Sequence, residues 1–216
     1  KGISPWFSGQ GEIMSKIITI SREFSSGGRE LGKRLADELG IPCYDRQIID
    51  MVAEKQSLDK AYVANMSERD VKVFYNTTIG HGFTSYNFGM NQSLQIAAAE
   101  HNLIKELAEE GDCVIIGRAA DVVLKDYNPL NLFVYADMES KIARCRARSK
   151  ENEELTDRKI KYMCRDIDRC RANYREMFTD TKWGHRESYH LCINTSGKEI
   201  KKLIRAIASY ANNWFE

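Results

Sequence analysis

The stretch from Ser21 to Gly32, Ser-Arg-Glu-Phe-Ser-Ser-Gly-Gly-Arg-Glu-Leu-Gly, carries the residue types that bind phosphate. It follows a short apolar segment, 16–20, and leads into a predicted helix over 28–39. Glycines let the backbone curl so that several N–H groups point inward, and the positive end of the helix dipole strengthens their attraction for an anion. The sequence therefore predicts a phosphate-binding loop between a strand and a helix, formed by Ser25, Ser26, Gly27 and Gly28.

Two residues at the end of this loop decide its chemistry. Compared with the phosphate-loop pattern G-x-x-x-x-G-K-[ST], the lysine position holds Arg29 and the hydroxyl position holds Glu30. A guanidinium donates a planar pair of hydrogen bonds to phosphate oxygens, so Arg29 is a candidate ligand and catalytic cation. The Glu30 carboxylate either caps the helix N-terminus, which is the preferred interpretation, or binds a metal ion.

Polar residues also follow two other predicted strands. Asp45 and Arg46 come after the strand 41–44, and Arg118 follows the buried strand 113–116 and a glycine. Ligands of parallel sheets bind at the carboxyl ends of the strands, so these residues are candidates for substrate binding. Asp45 could instead cap the next helix, and Arg118 could be an ordinary surface residue.

A predicted helix over 154–178 is crowded with arginines. Three of them, Arg158, Arg165 and Arg169, recur at spacings that place them on one helical face. Phosphoryl transfer needs cations that are delivered late by a mobile element, so the segment is interpreted as a lid. For any single arginine, a solvated face neutralised by neighbouring carboxylates is the alternative.

Predicted strands alternate with predicted helices along the chain, which indicates an α/β fold with a parallel sheet of about five strands and helices on both faces. A disordered leader is expected over 1–15 and a single domain over 16–216, with an insertion at about 57–95 and a lid at about 150–180. The remaining predicted strands cover 131–136 and 189–193, and the remaining helices cover 47–55, 91–110, 137–149 and 198–214, with a short helix that ends at Leu124.

Composition restricts the function classes. The 216 residues include 32 basic and 31 acidic side chains, a formal net charge of +1 that gives no case for nucleic-acid or membrane partners. No apolar run approaches the roughly 18 residues that span a bilayer. The six cysteines form no C-x-x-C pair, and no residues show metal-ligand spacing, so reduced thiols and a cytoplasmic location are expected.

Taken together, these stretches resemble the cytidylate kinase-like family, relatives of the nucleoside monophosphate kinases, over about residues 16–210. The resemblance rests on the following segments: 18–24 with 27–30, Tyr44-Asp45-Arg46, Val114 to Arg118, Asp168-Arg169-Cys170-Arg171-Ala172, Trp183-Gly184, Tyr189 and Asn194-Thr195. It implies a three-layer P-loop kinase fold with a nucleotide-binding insertion and a helical lid.

The resemblance also implies roles for individual residues. Ser25 to Arg29 would hold the phosphates of ATP, and Arg169 would lie on the lid. The acceptor would be faced by Asp45, Arg118, Asp168 and Arg171, with Arg46 beside them. The family's carboxylates around the acceptor arginine are absent, since this chain reads Ile116-Gly117-Arg118-Ala119.

These observations lead to an expected activity. We expect ATP- and Mg²⁺-dependent phosphoryl transfer to a small acceptor, a nucleoside monophosphate such as CMP, with positioning and charge stabilisation as the protein's contribution. Two alternatives stay open: a sensor that binds the nucleotide without turnover, favoured by the absent loop lysine, and a kinase of a non-nucleotide small molecule. The oligomeric state is not predicted.

Overall fold

The computed structural model describes residues 15–61, 63, 83–149 and 156–216, and residues 83–93 by their backbone only. The β-strands are β1 (Ile17–Arg22), β2 (Cys43–Tyr44), β3 (Cys113–Ile116), β4 (Leu130–Tyr135) and β5 (Leu191–Asn194). The α-helices are α1 (Gly28–Leu39), α2 (Gln47–Gln56), α3 (Phe83–Glu109), α4 (Ala120–Val123), α5 (Met138–Arg148), α6 (Asp157–Glu176) and α7 (Ile204–Trp214). Short 3₁₀ turns cover Lys125–Tyr127, Arg186–Ser188 and Ile200–Lys202.

The five strands form one parallel sheet in the order β2-β3-β1-β4-β5. β1 lies at the centre, where Ile18 is in register with Val114 on one side and with Leu130 on the other. Parallel strands covered on both faces read as continuous apolar runs, and β3 is buried at all four positions. The predicted α/β fold with a parallel sheet is confirmed.

Alternate side chains of the strands divide the core into two layers. Ile18 and Ile20 pack with Leu31 and Leu35 of α1 and with Ile207 of α7 on one face of the sheet. On the other face, residues such as Ile17 and Ile115 pack with helices α2, α3 and α4. This helix–sheet–helix sandwich fixes the carboxyl ends of all five strands along one edge, where the loops can form a site.

Element boundaries agree with the sequence-based prediction to within about three residues except at two helices, α3 and α7, and α7 begins at Ile204 rather than at 198, after a separate 3₁₀ turn. α1 covers 28–39 as predicted and ends at Gly40, whose left-handed φ of 67° lets its N–H reach the last carbonyls. α3, however, begins at Phe83 rather than at 91, within the segment expected to be an insertion. Its internal Gly89 costs only about 1 kcal/mol, too little to end a 27-residue helix.

Parts of three predicted regions lie outside the described residues. These are the leader 1–14, the insertion residues 62 and 64–82, and the lid residues 150–155. Among the described helices, none combines the length and the hydropathy that crossing a bilayer requires.

Candidate active site

The loop between β1 and α1 has the backbone geometry of an anion-binding concavity. Ser25 and Gly27 adopt left-handed φ angles of 58° and 85°, on either side of Ser26. Gly27 is the N-cap of α1 and supplies no side-chain acceptor, and its carbonyl accepts the Leu31 N–H at 2.9 Å. The Gly28 N–H donates to Oγ of Ser26 at 3.3 Å, a long hydrogen bond, and the first turn has the position that binds phosphate at other helix N-termini.

Glycine is required at position 28 by close packing. A Cβ added there would lie 2.5 Å from Cβ of Arg22, a distance that real Cβ atoms essentially never show, and 3.2 Å from Cβ of Val134, which is also tight. α1 can therefore start directly against the end of β1, and the loop stays tight.

Cationic side chains of α5 hydrogen-bond to the loop. Arg144 donates to the Ser26 carbonyl at 3.2 Å, and Arg148 donates to Oγ of Ser25 at 2.5 Å. The Ser25 hydroxyl in turn donates to the Lys141 carbonyl at 3.0 Å. The loop is thus attached to the helix that precedes the predicted lid.

A single cleft of about 1030 Å³ opens in front of the loop. Among the described residues that line it, ten side chains are basic and five are acidic. The cleft brings together most of the residues predicted from the sequence: Ser25, Gly27, Gly28, Arg29, Glu30, Asp45, Arg46, Arg118 and Arg171. Arg22, Lys60, Arg144, Arg148, Lys198 and Lys201 complete its cationic lining.

Arg29 and Asp45 join the two halves of this cleft. Nε of Arg29, at the start of α1, forms an ion pair with the Asp45 carboxylate, at the end of β2. The arginine is half exposed, whereas the carboxylate is 10% exposed. The Arg29 side chain therefore spans the distance between the loop side and the β2 side of the cleft.

Arg118 is held rigidly at the β3 end of the cleft. Both Arg118 and Ala119 adopt left-handed φ angles, 60° and 51°, in the turn that leads into α4. The guanidinium is 7% exposed and pairs at 2.8 Å with the fully buried carboxylate of Glu100, which also accepts the Tyr174 hydroxyl at 2.7 Å. Helices α3 and α6 thus fix its orientation, and the interpretation of Arg118 as a free surface residue is excluded.

Asp168 lies beneath the loop rather than in the cleft. Its carboxylate accepts the Phe24 N–H at 2.5 Å and lies 3.5 Å from Nζ of Lys141 and 3.6 Å from Arg171. Burial raises the pKa of this carboxyl, while the Phe24 N–H and the two cations act in the opposite direction. Lys141 is itself 5% exposed and pairs with Glu23 at 2.7 Å, so a buried cationic and anionic network supports the loop from below.

Two other predicted residues do not line the cleft. Ser26 is fully buried beneath the loop. Arg169 is 61% exposed and pairs with Asp166 at 2.7 Å. Successive helical residues are about 100° apart, so Arg169 lies about 200° around α6 from Arg171, which does line the cleft.

Glu30 lies at the rim of the cleft. Its carboxylate pairs with Arg34, one turn along α1, at 2.8 Å, and about half of the side chain is exposed. It therefore keeps the favourable position of an acidic residue in the first helical turn. Within the described part of the chain, no cluster of three or more His, Cys, Asp or Glu side chains could hold a metal ion alone.

The residues that sequence reasoning missed come from α5 and from the turn after β5. Lys141, Arg144 and Arg148 are one helical turn or two apart, a spacing that places them on the same side of α5. Thr195 is fully buried and donates its hydroxyl to the Ser26 carbonyl at 2.6 Å. The only signal in the sequence was the 3–4 spacing of these cations, which also describes a solvated face.

Comparison with solved structures places this architecture among known kinases. The chain is 26% identical to an uncharacterized protein from Eubacterium ventriosum, with a TM-score of 0.67 over 91% of this chain and 98% of the other. It shares the fold of shikimate kinase from Bacteroides thetaiotaomicron, with a TM-score of 0.54 at 14% identity, over 91% of this chain and 98% of the other. Comparison with curated proteins gives no match.

A family model gives the assignment. The model of the cytidylate kinase-like family matches residues 17–197, a range that begins with β1 and ends in the turn after β5. It therefore includes the loop after β1, the β2 and β3 ends of the cleft, and helices α1 and α5, which contact the loop. The chain has the P-loop kinase fold and belongs to the cytidylate kinase-like family.

Proposed function

We propose that this protein transfers the γ-phosphoryl group of ATP to a small acceptor, with a nucleoside monophosphate such as CMP as the first candidate. One observation carries the proposal. The phosphate loop and the side chains Asp45, Arg118 and Arg171 line the same continuous cleft, with an excess of cations. A donor and an acceptor bound there would lie side by side, as phosphoryl transfer requires.

The donor would bind on the loop side. The backbone N–H of Gly27 and the Arg29 guanidinium would hold the phosphates, while Arg148 approaches from α5. Lys198 and Lys201 also line the cleft. The charge that develops on the transferred group would thus meet fixed cations rather than water, which is the largest contribution a protein makes to this reaction.

The acceptor would bind on the β2–β3 side. At the ends of β1 and β3 the cleft adjoins a recess of about 20 Å³, room for about one water molecule, and four arginines line this recess: Arg22, Arg118, Arg171 and Arg175. Two of them are held by buried carboxylates, Arg118 by Glu100 and Arg175 by Asp121 at 2.7 Å. Such a rigid cationic wall suits an acceptor that carries a phosphate or a carboxylate.

The cleft offers one carboxylate, Glu30, as a ligand for Mg²⁺ at the first turn of α1. Mg²⁺ commonly takes one or two protein carboxylates and fills its other positions with phosphate oxygens and water. Glu30 lines the cleft at the first turn of α1, and its exposed pair with Arg34 is weak enough to be exchanged for a cation. Glu30 would hold the metal, which would neutralise phosphate charge when bound.

The experiment is an acceptor panel with matched variants. ADP release is followed with ATP, Mg²⁺ and each of CMP, dCMP, UMP, AMP and small alcohols. Arg171→Ala removes a cleft cation from α6, and Arg205→Ala removes an exposed cation of α7 that is not among the described residues lining the cleft. We expect acceptor-dependent ADP release that falls at least tenfold in R171A, on the order of one lost charged hydrogen bond, and persists in R205A.

The outcome also separates the remaining candidates. ATP binding with no ADP release for any acceptor would contradict the kinase and support a nucleotide sensor, which the pairing of Arg29 with Asp45 and the missing loop lysine favour. Turnover with an alcohol and none with a nucleotide would support a kinase of a non-nucleotide molecule.

A further inference from the structure

Thr195 is fully buried, and its hydroxyl contacts the phosphate loop, although the two are far apart in the sequence. It follows β5 directly, and its Oγ1 lies 2.6 Å from the Ser26 carbonyl oxygen and 3.1 Å from that of Tyr135. A threonine hydroxyl has one proton to donate, and the shorter distance assigns it to Ser26. The Ser26 carbonyl is therefore held from behind by the turn after β5.

Arg144 holds the same carbonyl from a second direction. One of its terminal nitrogens donates to the Ser26 carbonyl at 3.2 Å, and the other donates to the carbonyls of Thr195 at 2.6 Å and Lys198 at 3.2 Å. The guanidinium thus uses both terminal nitrogens on backbone oxygens. It ties the loop and the turn after β5 together as one unit.

The hydrogen bonds to the Ser26 carbonyl also fix the direction of the Gly27 N–H, because both groups belong to the same planar peptide. In a trans peptide the C=O and the next N–H point in opposite directions. Because Thr195 and Arg144 draw the Ser26 carbonyl to their side, the Gly27 N–H is turned away from them. Ser26 is fully buried, whereas Gly27 lines the cleft.

Ile200 packs against the loop and keeps the turn after β5 next to it. A Cβ at position 27 would lie 2.6 Å from Cδ1 of Ile200, so the turn after β5 rests directly against the loop backbone. A shift of that turn would move the Ser26–Gly27 peptide with it.

We propose that Thr195, assisted by Arg144, is a positioning residue that orients the Ser26–Gly27 peptide so that the Gly27 N–H can bind the phosphates of the donor. The inference rests on the proposed function, because it assumes that the loop binds a donor polyphosphate. It assigns a role in phosphate affinity to a side chain that is itself shielded from the ligand.

The test uses isosteric changes of threonine. T195V removes the hydroxyl and keeps the shape, T195S restores the hydroxyl, and T19V removes the buried hydroxyl that Thr19 donates to Asn131 at 2.6 Å within the sheet. Calorimetry measures the Kd of ATP and of inorganic triphosphate, and thermal unfolding measures stability. We expect T195V to raise both Kd values roughly tenfold, one hydrogen bond's worth of affinity, with T195S close to wild type and T19V unchanged in affinity.

The outcomes distinguish this inference from the proposed function. Equal affinities of T195V and wild type for both ligands would overturn the positioning role and leave the kinase proposal intact. Failure of the wild-type protein to bind ATP or triphosphate would overturn both. If T195V does not fold, R144K keeps the positive charge but has one donor group in place of the guanidinium fork, and it should weaken triphosphate binding as well; wild-type affinity in R144K would then contradict the inference.

Discussion

The ion pair between Arg29 and Asp45 connects the phosphate loop to the end of β2 across the cleft. Arg29 is the residue that replaces the lysine of the usual loop pattern, and Asp45 is a residue expected to face the acceptor. In the proposed function, the Arg29 guanidinium must share or leave the carboxylate to contact the donor phosphates. Donor binding would therefore change the charge that the acceptor side of the cleft presents.

Removal of Arg29 should weaken donor binding strongly. R29A deletes the guanidinium that follows the loop at the start of α1, and a hydrogen bond to a charged group contributes about 1.5–3 kcal/mol, so we expect the Kd of ATP to rise about 10- to 100-fold. Lys33→Ala removes an exposed cation from the next turn of α1 and is the matched control. An unchanged ATP affinity in R29A, measured by calorimetry, would remove Arg29 from the phosphate site.

Substitution of Gly28 should damage both stability and binding. In G28A the new Cβ would meet Cβ of Arg22, which cannot move without the backbone of β1. Overpacking of this kind costs about 1–3 kcal/mol, and the displaced loop should lose ATP affinity in parallel. Urea unfolding and calorimetry measure the two effects. Wild-type values for both would show that the start of α1 is not tightly packed against β1.

The buried pair of Asp121 and Arg175 should be essential for stability. Both side chains are at most 5% exposed, and Arg175 also donates to the Thr181 carbonyl at 2.7 Å. D121A leaves a buried guanidinium without its carboxylate, which costs about 3–5 kcal/mol. Glu106→Ala breaks the exposed pair with Lys55 and should cost less than about 1 kcal/mol. Similar urea midpoints for the two variants would contradict this assignment.

His101 should make the protein less stable in mild acid. Burial, aided by Lys105, lowers the pKa of His101 to about 4 from its ordinary value of 6.5. Between these values the unfolded chain binds a proton that the folded state excludes, so the contribution of His101 to stability is lost as the pH falls from about 6.5 to 4. We expect H101F to flatten this part of the pH profile, measured as unfolding free energy at several pH values.

The comparison with wild type isolates this histidine from other groups that titrate in the same range. His101 packs edge-to-face against Phe178, with ring centroids 4.4 Å apart, so phenylalanine is a reasonable replacement. An identical pH profile in H101F would mean that the histidine is freely protonated in the folded protein.

Much of the fold could be predicted from the sequence because it rests on local signals. The bounds of α1 followed from the glycines at its two ends, and β3 followed from four consecutive buried residues. The ends of β1, β2 and β3 could be assigned to one cleft because parallel strands end at one edge of a sheet. The start of α3 could not be predicted, because a glycine-containing segment has no strong local preference.

The lining of the cleft was predictable where side chains follow strands and less so where they lie on helices. Arg169 and Arg171 are two residues apart on α6, yet only Arg171 lines the cleft. Charge density alone cannot show which face of a helix packs inward. Asp168 illustrates the same limit: it bonds to the Phe24 N–H instead of facing the cleft, a contact between residues 144 positions apart.

The contact between Ser26 and Thr195 has a consequence for biosynthesis. The two residues are 169 positions apart, so the phosphate loop leaves the ribosome long before the residue that fixes its backbone. Nascent chains tend to fold from their N-terminal parts, and β1 and α1 can pack early, but the loop cannot take its final form until β5 has been translated and added to the sheet edge. A truncated nascent chain should therefore contain the whole glycine loop and still lack the contact that fixes it, so that the proposed donor binding would become possible only after β5 and Thr195 have been translated.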